Sequence, residues 1–287
     1  MKGTMKVAVM NGIGQMGYTN RDIPQPKDNE VLVKLEYVGI CGSDMHYYET
    51  GRIGDYVVEP PFVLGHEPGG TVVEVGKNVK HLKVGDRVAL EPGKTCGHCE
   101  YCREGKYNLC PDVVFFATPP VDGVFQEYVA HEADLCFKLP ENVSTLEGAL
   151  IEPLAVGFHA ANQGNAHAGQ TALVFGAGCI GLVSMMALKA EGVSKVYVVD
   201  IMQKRLDKAL ELGATGVINS KEEKAQAHIK TAMENIVRDD NSTYHTYFFD
   251  METGKPTKGV TCQGNRDGSA WARGQAWGIY GSAVAYS

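Results

Sequence analysis

Thr171-Ala172-Leu173-Val174-Phe175-Gly176-Ala177-Gly178-Cys179-Ile180-Gly181 is the stretch on which the reading of this 287-residue chain turns. A short apolar run breaks into three glycines spaced G-x-G-x-x-G, and a helical pattern follows from Ile180 to Glu191. The glycine spacing alone is a weak signal, and its place between a strand and a helix is what gives it weight. Beyond it, Lys195 to Asp200 reads as a second strand, Lys204 to Leu212 as a second helix and Val217-Ile218 as a third strand. Strand, helix, strand, helix, strand is one half of a doubly wound parallel sheet, in which Thr171–Phe175 is expected to be a buried strand.

This half-sheet predicts a dinucleotide site. Gly176, Gly178 and Gly181 let the backbone approach a pyrophosphate seated at the helix N-terminus. Asp200, a little over twenty residues on, stands where a carboxylate accepts hydrogen bonds from the adenosine ribose and repels a 2′-phosphate, which favours NAD over NADP. Arg205, close by, could stack on adenine or tolerate that phosphate.

Working outward, the composition sets limits. A net charge of -7 leaves no basic footprint for nucleic acid. The Met1–Lys6 start has no apolar core of signal length behind it, so a cytoplasmic location is expected. Ala172 to Leu188 approaches the length of a membrane span, but its glycines and β-rich start read as a strand turning into a helix, and no membrane partner is expected.

Upstream, β-branched runs at Val31–Tyr37, Gly70–Val75 and Asp86–Leu90 are bounded by turn residues, which predicts a β-rich region with long loops. Pro140 and Ser144 introduce a helix near Thr145, and Glu152-Pro153-Leu154 begins a segment leading to His159. The expected organisation is a β-rich domain over residues 1–157, half of a doubly wound domain over 158–223, and an unrelated, aromatic-rich tail over 224–287. In that tail Glu252-Thr253-Gly254-Lys255 reads as a hairpin turn and Ala272 to Ala285 as a helix.

Five of the eight cysteines stand where metal ligands would. Cys96, Cys99, Cys102 and Cys110 put four thiolates on one loop, and a closed set of four leaves no position for a substrate, so a structural zinc is expected, with an iron–sulfur cluster as the alternative. His98, inside the loop, is read as a bystander. Cys41, His66 and Glu67 offer thiolate, imidazole and carboxylate from two loops, and Glu152 adds a further carboxylate. Three protein ligands with an exchangeable fourth position are what a catalytic zinc needs. Ser43 and His46 could relay a proton from a bound alcohol to solvent. The plainer alternatives are a turn hydroxyl for Ser43 and a loop cap or a partner of the ligands for Asp44.

Taken together, Gly39-Ile40-Cys41-Gly42-Ser43-Asp44, His46-Tyr47-Tyr48, Gly51-Arg52-Ile53-Gly54, Val63-Leu64-Gly65-His66-Glu67 and Ile151-Glu152-Pro153-Leu154 resemble the medium-chain zinc-dependent dehydrogenases, in the sorbitol and xylitol dehydrogenase branch. The resemblance covers about residues 1–223. It implies a GroES-like β-rich catalytic domain followed by an incomplete Rossmann sheet, hence α/β plus β, and oxidation of a polyol hydroxyl to a ketone with hydride passing to NAD. It also implies that Cys41, His66 and Glu67 hold the catalytic zinc, with Glu152 on it directly or through water and Tyr47 touching the polyol. Ile180, Asp200 and Arg205 are implied to touch NAD. Members of the family form homo-oligomers, but the second half of the sheet, which carries much of that contact and the nicotinamide side of the pocket, has no counterpart here. Turnover is therefore expected to be impaired, and a zinc- and nucleotide-binding module without catalysis is the second reading.

The tail resembles the unsaturated glucuronyl hydrolases through Ser242-Thr243-Tyr244-His245-Thr246, Asp250, Glu252-Thr253-Gly254, Thr261 with Gln263-Gly264, and Trp271-Ala272-Arg273-Gly274-Gln275-Ala276-Trp277. That resemblance implies sugar contacts from His245, Gln263, Arg273 and Trp277. It supplies a third reading, a carbohydrate-active hydrolase fragment. The junction is expected near residues 220–225.

Overall fold

The structure is a computed structural model that describes residues 2–221 in full, and the backbone alone of 246–249 and 256–260. The chain divides into two compact units, Met1–Glu152 and Pro153–Ser287.

The first unit opens with an antiparallel hairpin, β1 (Thr4–Gly12) and β2 (Gln15–Asp22), which the sequence reading did not anticipate. Then come β3 (Glu30–Gly39), α1 (Gly42–Thr50), a two-strand ribbon of β4 (Arg52–Ile53) with β5 (Tyr56–Val57), β6 (Glu67–Val75) and β7 (Arg87–Leu90). A second ribbon pairs β8 (Gly93–Lys94) with β9 (Val114–Phe115), and between its strands lies the short helix α2 (Glu100–Arg103). The unit ends with β10 (Tyr128–Glu132), β11 (Cys136–Lys138) and α3 (Thr145–Ala149). The main sheet runs β10-β3-β6-β7-β11, antiparallel at every pairing.

β3 explains the layering. Val31, Val33 and Leu35 face one cluster with Val72, Val88, Leu90 and Val129, while Leu32 faces another with Met5, Val7 and Val9. Burial on both faces accounts for the nearly unbroken apolar run that the sequence displays there. Each such fully buried Val or Leu contributes roughly 1.5–3 kcal/mol relative to exposure. α3 starts at Ser144, whose hydroxyl accepts the Glu147 N–H while the Glu147 carboxylate accepts the Ser144 N–H, a reciprocal cap. It lies so close to β6 that a Cβ on Gly69 would stand 2.2 Å from the Thr145 carbonyl oxygen.

α4 (Ile151–Gln163) begins at the end of the first unit and continues into the second. There β12 (Thr171–Phe175), α5 (Cys179–Ala190), β13 (Lys195–Asp200), α6 (Gln203–Glu211) and β14 (Gly216–Asn219) form a three-stranded parallel sheet ordered β12-β13-β14. Met185, Leu188, Val196, Val198 and Leu206 form its core. The strands and helices fall within two residues of the sequence reading. One expectation is corrected: β12 is only partly buried and Phe175 is exposed, because β12 is an edge strand among the described residues, whereas central β13 is buried.

β15 (Thr246–Phe249) and β16 (Pro256–Val260) pair antiparallel on either side of the predicted hairpin turn. The turn itself, the helix expected at 272–285 and the sugar contacts read at His245, Gln263, Arg273 and Trp277 lie outside the described residues. Among the described residues no helix is long and apolar enough to cross a membrane.

Candidate functional site

The two donor fragments read as loops are more ordered than that. Cys41 is the N-cap of α1, and Glu67 is the first residue of the nine-residue strand β6. The physical cause is Asp44 at the third helical position. One of its carboxylate oxygens accepts the Cys41 N–H at 2.8 Å, which starts the helix, and the other accepts the Gly65 N–H at 2.8 Å, which brings the second fragment alongside. Asp44 is 2% exposed, so these bonds are made out of water. Its Oδ1 also lies 3.8 Å from His66 Nδ1, on the flank of the imidazole.

Two glycines make room. Gly65 has φ 91°, and a Cβ there would meet the Phe125 ring at 2.4 Å. Gly39 pairs with Glu67 across β3 and β6, and a Cβ on it would stand 2.0 Å from Glu67 Oε2. The result is that a thiol, an imidazole and a carboxylate oxygen from Cys41, His66 and Glu67 all lie within 4.8 Å of one another, His66 and Glu67 buried and Cys41 partly so.

This donor set fits a cation. Burial first, and then the charge of Cys41, push the Glu67 carboxyl up to about 7 against the opposing pull of His66. Two acidic groups packed together out of water are what a divalent ion would relieve, and thiolate, imidazole and carboxylate together suit zinc. Glu152 is partly buried and stands in the second residue of α4; it is not part of the group of three.

The four-cysteine lobe is built differently. Cys96, Cys99, Cys102 and Cys110 lie within 4.8 Å of one another, and α2 is wrapped inside the loop with Cys99 as its N-cap. The N–H groups of Cys96, Cys99 and Cys102 point at sulfurs of Cys110, Cys96 and Cys99, at 3.4, 3.3 and 3.5 Å. N–H groups of His98 and Cys99 pull the Cys96 thiol down to about 6, which favours a thiolate. Four convergent sulfurs with amides directed at them fit a tetrahedral ion. His98 is exposed and its Nδ1 lies 2.7 Å from the Cys96 carbonyl oxygen, away from the sulfur set.

Ser43 and His46 occupy positions i and i+3 of α1, on one side of the helix, with His46 exposed. No hydrogen bond joins the two among the described residues. Tyr47 is 4% exposed and its ring belongs to an apolar cluster with Met10, Val58, Phe62 and Leu64.

In the second unit Gly176 has φ 91°, Gly178 caps α5, and a Cβ on Gly181 would stand 1.8 Å from the Gly176 carbonyl oxygen. Asp200 ends β13 with both carboxylate oxygens on backbone: Oδ2 accepts the Ala177 N–H at 2.7 Å and Oδ1 the Met202 N–H at 2.8 Å. A carboxylate has about four acceptor positions, so capacity for a ribose hydroxyl remains. Ile180 is partly buried in the first turn of α5, and Arg205 reaches to 4.0 Å of the Asp200 carboxylate. The anchoring of Asp200 to the glycine loop at Ala177 and to the start of α6 at Met202 was not legible in the sequence.

Comparisons with known proteins agree with this build. The alcohol dehydrogenase GroES-like domain matches residues 27–141, and the zinc-binding dehydrogenase domain matches residues 179–245, past the change of composition near Glu223. Sorbitol dehydrogenase of Bacillus subtilis (strain 168) is 50% identical over 227 residues, which are 79% of this chain and 64% of that protein. Sorbitol dehydrogenase of Homo sapiens is 50% identical over 218 residues, 76% of this chain and 61% of that protein. The chain thus spans less than two thirds of the length of these curated relatives. Among solved structures, an oxidoreductase/dehydrogenase of unknown specificity from Escherichia coli superposes with a TM-score of 0.75 at 46% identity, covering 82% of this chain and 68% of its own. Galactitol-1-phosphate dehydrogenase from Escherichia coli superposes with a TM-score of 0.72 at 32% identity, covering 80% of this chain and 65% of its own. With a GroES-like unit, a parallel nucleotide-type half-sheet and two zinc-compatible donor sets, the chain belongs to the zinc-binding dehydrogenase family.

Proposed function

We propose that the protein is a zinc-dependent oxidoreductase that oxidises a secondary hydroxyl of a polyol to a ketone, with hydride passing to NAD. The observation that carries this reading is the buried convergence of Cys41, His66 and Glu67 within 4.8 Å, three donors that leave a coordination position open. Cys41, His66 and Glu67 would hold a catalytic zinc, with Glu152 on it directly or through water, and Cys96, Cys99, Cys102 and Cys110 a structural one. A zinc ion bound there supplies Lewis acidity that lowers the pKa of an alcohol, and NAD supplies the hydride acceptor.

The chain's own groups do the rest. Asp44 holds the Cys41 and Gly65 backbone so that the donors are in place before any ion arrives. Ser43 accepts the substrate's hydroxyl proton as its own passes through a bridging water to His46, which is exposed and releases it to solvent. Tyr47 contacts the polyol. Gly176, Gly178 and Gly181 carry the pyrophosphate, Ile180 touches NAD, and Asp200, with Arg205 beside it, selects NAD through the ribose. The sorbitol dehydrogenases that resemble this chain at 50% identity support the polyol as substrate class. Five cysteines gathered into two metal-compatible donor sets support a reducing, cytoplasmic setting.

The test is the formation of NADH by the zinc-loaded chain with sorbitol or xylitol. NADH that depends on zinc, on the polyol and on His66 supports the reading. Saturable NAD binding with no NADH contradicts the oxidoreductase and marks a zinc- and nucleotide-binding module without turnover. An Asp200→Ser variant should lose preference for NAD over NADP, read as the ratio of their dissociation constants.

A further inference from the structure

The lobe and the three-donor cluster touch each other through one aromatic ring. Phe115, the last residue of β9, lies against His66 with ring centroids 5.8 Å apart and an interplanar angle of 55°, a tilted contact within the range of favourable aromatic pairs. Its placement is fixed from behind: β8 pairs with β9 so that Gly93 faces Phe115, and a Cβ on Gly93 would come 3.1 Å from the Phe115 ring. The next residue, Phe116, donates its N–H to the Pro92 carbonyl at 3.1 Å and packs its ring on His131 at 4.8 Å. The Phe115 backbone is therefore tied to the β8–β9 ribbon, and a shift of that ribbon carries the ring with it.

That ribbon is the neck of the four-cysteine lobe. Cys96 follows β8 by two residues and Cys110 precedes β9 by four, and the Cys96 N–H points at the Cys110 sulfur at 3.4 Å. Four thiolates drawn to one ion cross-link the two strands at the point where they leave the ribbon. The imidazole of His66 is held on one flank by Asp44 and meets Phe115 as well, and it is only 8% exposed. Groups that orient a metal-binding histidine set the affinity of its site, because a ring already aimed at the ion loses less freedom on binding.

We propose that Phe115 is a positioning residue for His66, and that through it a metal-loaded four-cysteine lobe tightens the hold of the Cys41, His66 and Glu67 cluster on its own ion. This rests on reading both clusters as zinc sites. The lobe is then more than a staple for its own loop: losing its metal loosens the ribbon, frees Phe115 and weakens the neighbouring cluster, although no residue of the lobe is a ligand there.

The experiment is chelator competition for zinc on the whole chain, with affinities assigned to the two sites by a Cys41→Ala control. Phe115→Ala should weaken the cluster by about tenfold while the lobe's affinity stays unchanged, and Phe115→Leu, which keeps most of the volume, should weaken it less. Cys102→Ser should empty the lobe and also weaken the cluster. Adding Phe115→Ala to Cys102→Ser should then produce almost no further loss, since the two changes act through the same contact. Unchanged cluster affinity in Phe115→Ala overturns the proposal, as does an equal loss at both sites or a pair of losses that simply multiply. A parent chain that loads the lobe but never the cluster fails earlier, at the metal reading itself, and is told apart from these by a total of one zinc per chain.

Discussion

The two donor clusters of the first unit solve the same problem by opposite means. The lobe draws all four sulfurs from residues 96–110, a local loop whose backbone amides already point at the thiols. The three-donor cluster draws on a helix cap at 41 and a strand start at 66–67, which meet because β3 and β6 pair and Asp44 bonds to both fragments. A local site depends on its own loop, whereas an assembled site is only as good as the fold that brings its parts together. The same structural damage should therefore strike the cluster first.

The largest effect is expected at Asp44. Asp44→Ala removes two charge-assisted hydrogen bonds from a position 2% exposed and leaves the Cys41 and Gly65 N–H groups without their acceptor. A loss of about 3 kcal/mol in urea unfolding is expected, with cluster zinc affinity falling and lobe affinity holding. Asp44→Asn, which retains one acceptor, should cost less. If Asp44→Ala leaves the cluster's affinity intact, the cluster is not assembled by this carboxylate.

Next comes Gly39→Ala. The added Cβ would stand 2.0 Å from Glu67 Oε2, so the carboxylate must turn away from its two companions. Cluster affinity should fall by at least about tenfold while the four-cysteine set, which draws on neither residue, keeps its zinc. Equal losses at both sites would erase the distinction between them.

The smallest effect sharpens the lobe's side of the contrast. His131 lies behind the ribbon, 6% exposed, with Nε2 2.8 Å from the Glu91 carbonyl oxygen. Burial holds its pKa below the usual histidine value, against the opposing pull of that carbonyl and of Glu132 and Glu30. A depressed folded pKa means that the fold favours neutral His131. Its contribution is complete above pH 6.5 and fades as pH falls through the lower folded value. The melting temperature should decline on acidification below 6.5, and a His131→Gln chain should show a shallower decline. Identical pH profiles would remove His131 from the account.

How legible all this was in the sequence follows the same division. The half-sheet was readable nearly to the residue, because strand, glycine turn and helix are local patterns. The lobe was readable from cysteine spacing. The three-donor residues could be named, but not their setting: α1 has almost no apolar periodicity, and its start depends on a side chain, Asp44, folding back onto Cys41. The β1–β2 hairpin escaped because its turn, Ile13-Gly14, carries a weak signal and β2 is mostly exposed. The burial of β12 was overestimated, since an apolar run does not say whether a strand is central or at an edge. Phe115 could not have been found, as an aromatic in a two-residue strand gives no hint of which imidazole it will meet.

The central claim is that Cys41, His66 and Glu67 share one ion while the four cysteines share another. Zinc counted per chain after dialysis, on the parent and on Cys41→Ala, tests it directly. The account predicts two ions in the parent and one in the variant, with the remaining ion bound at the affinity of the lobe. One ion in both chains, or two in both, would contradict it.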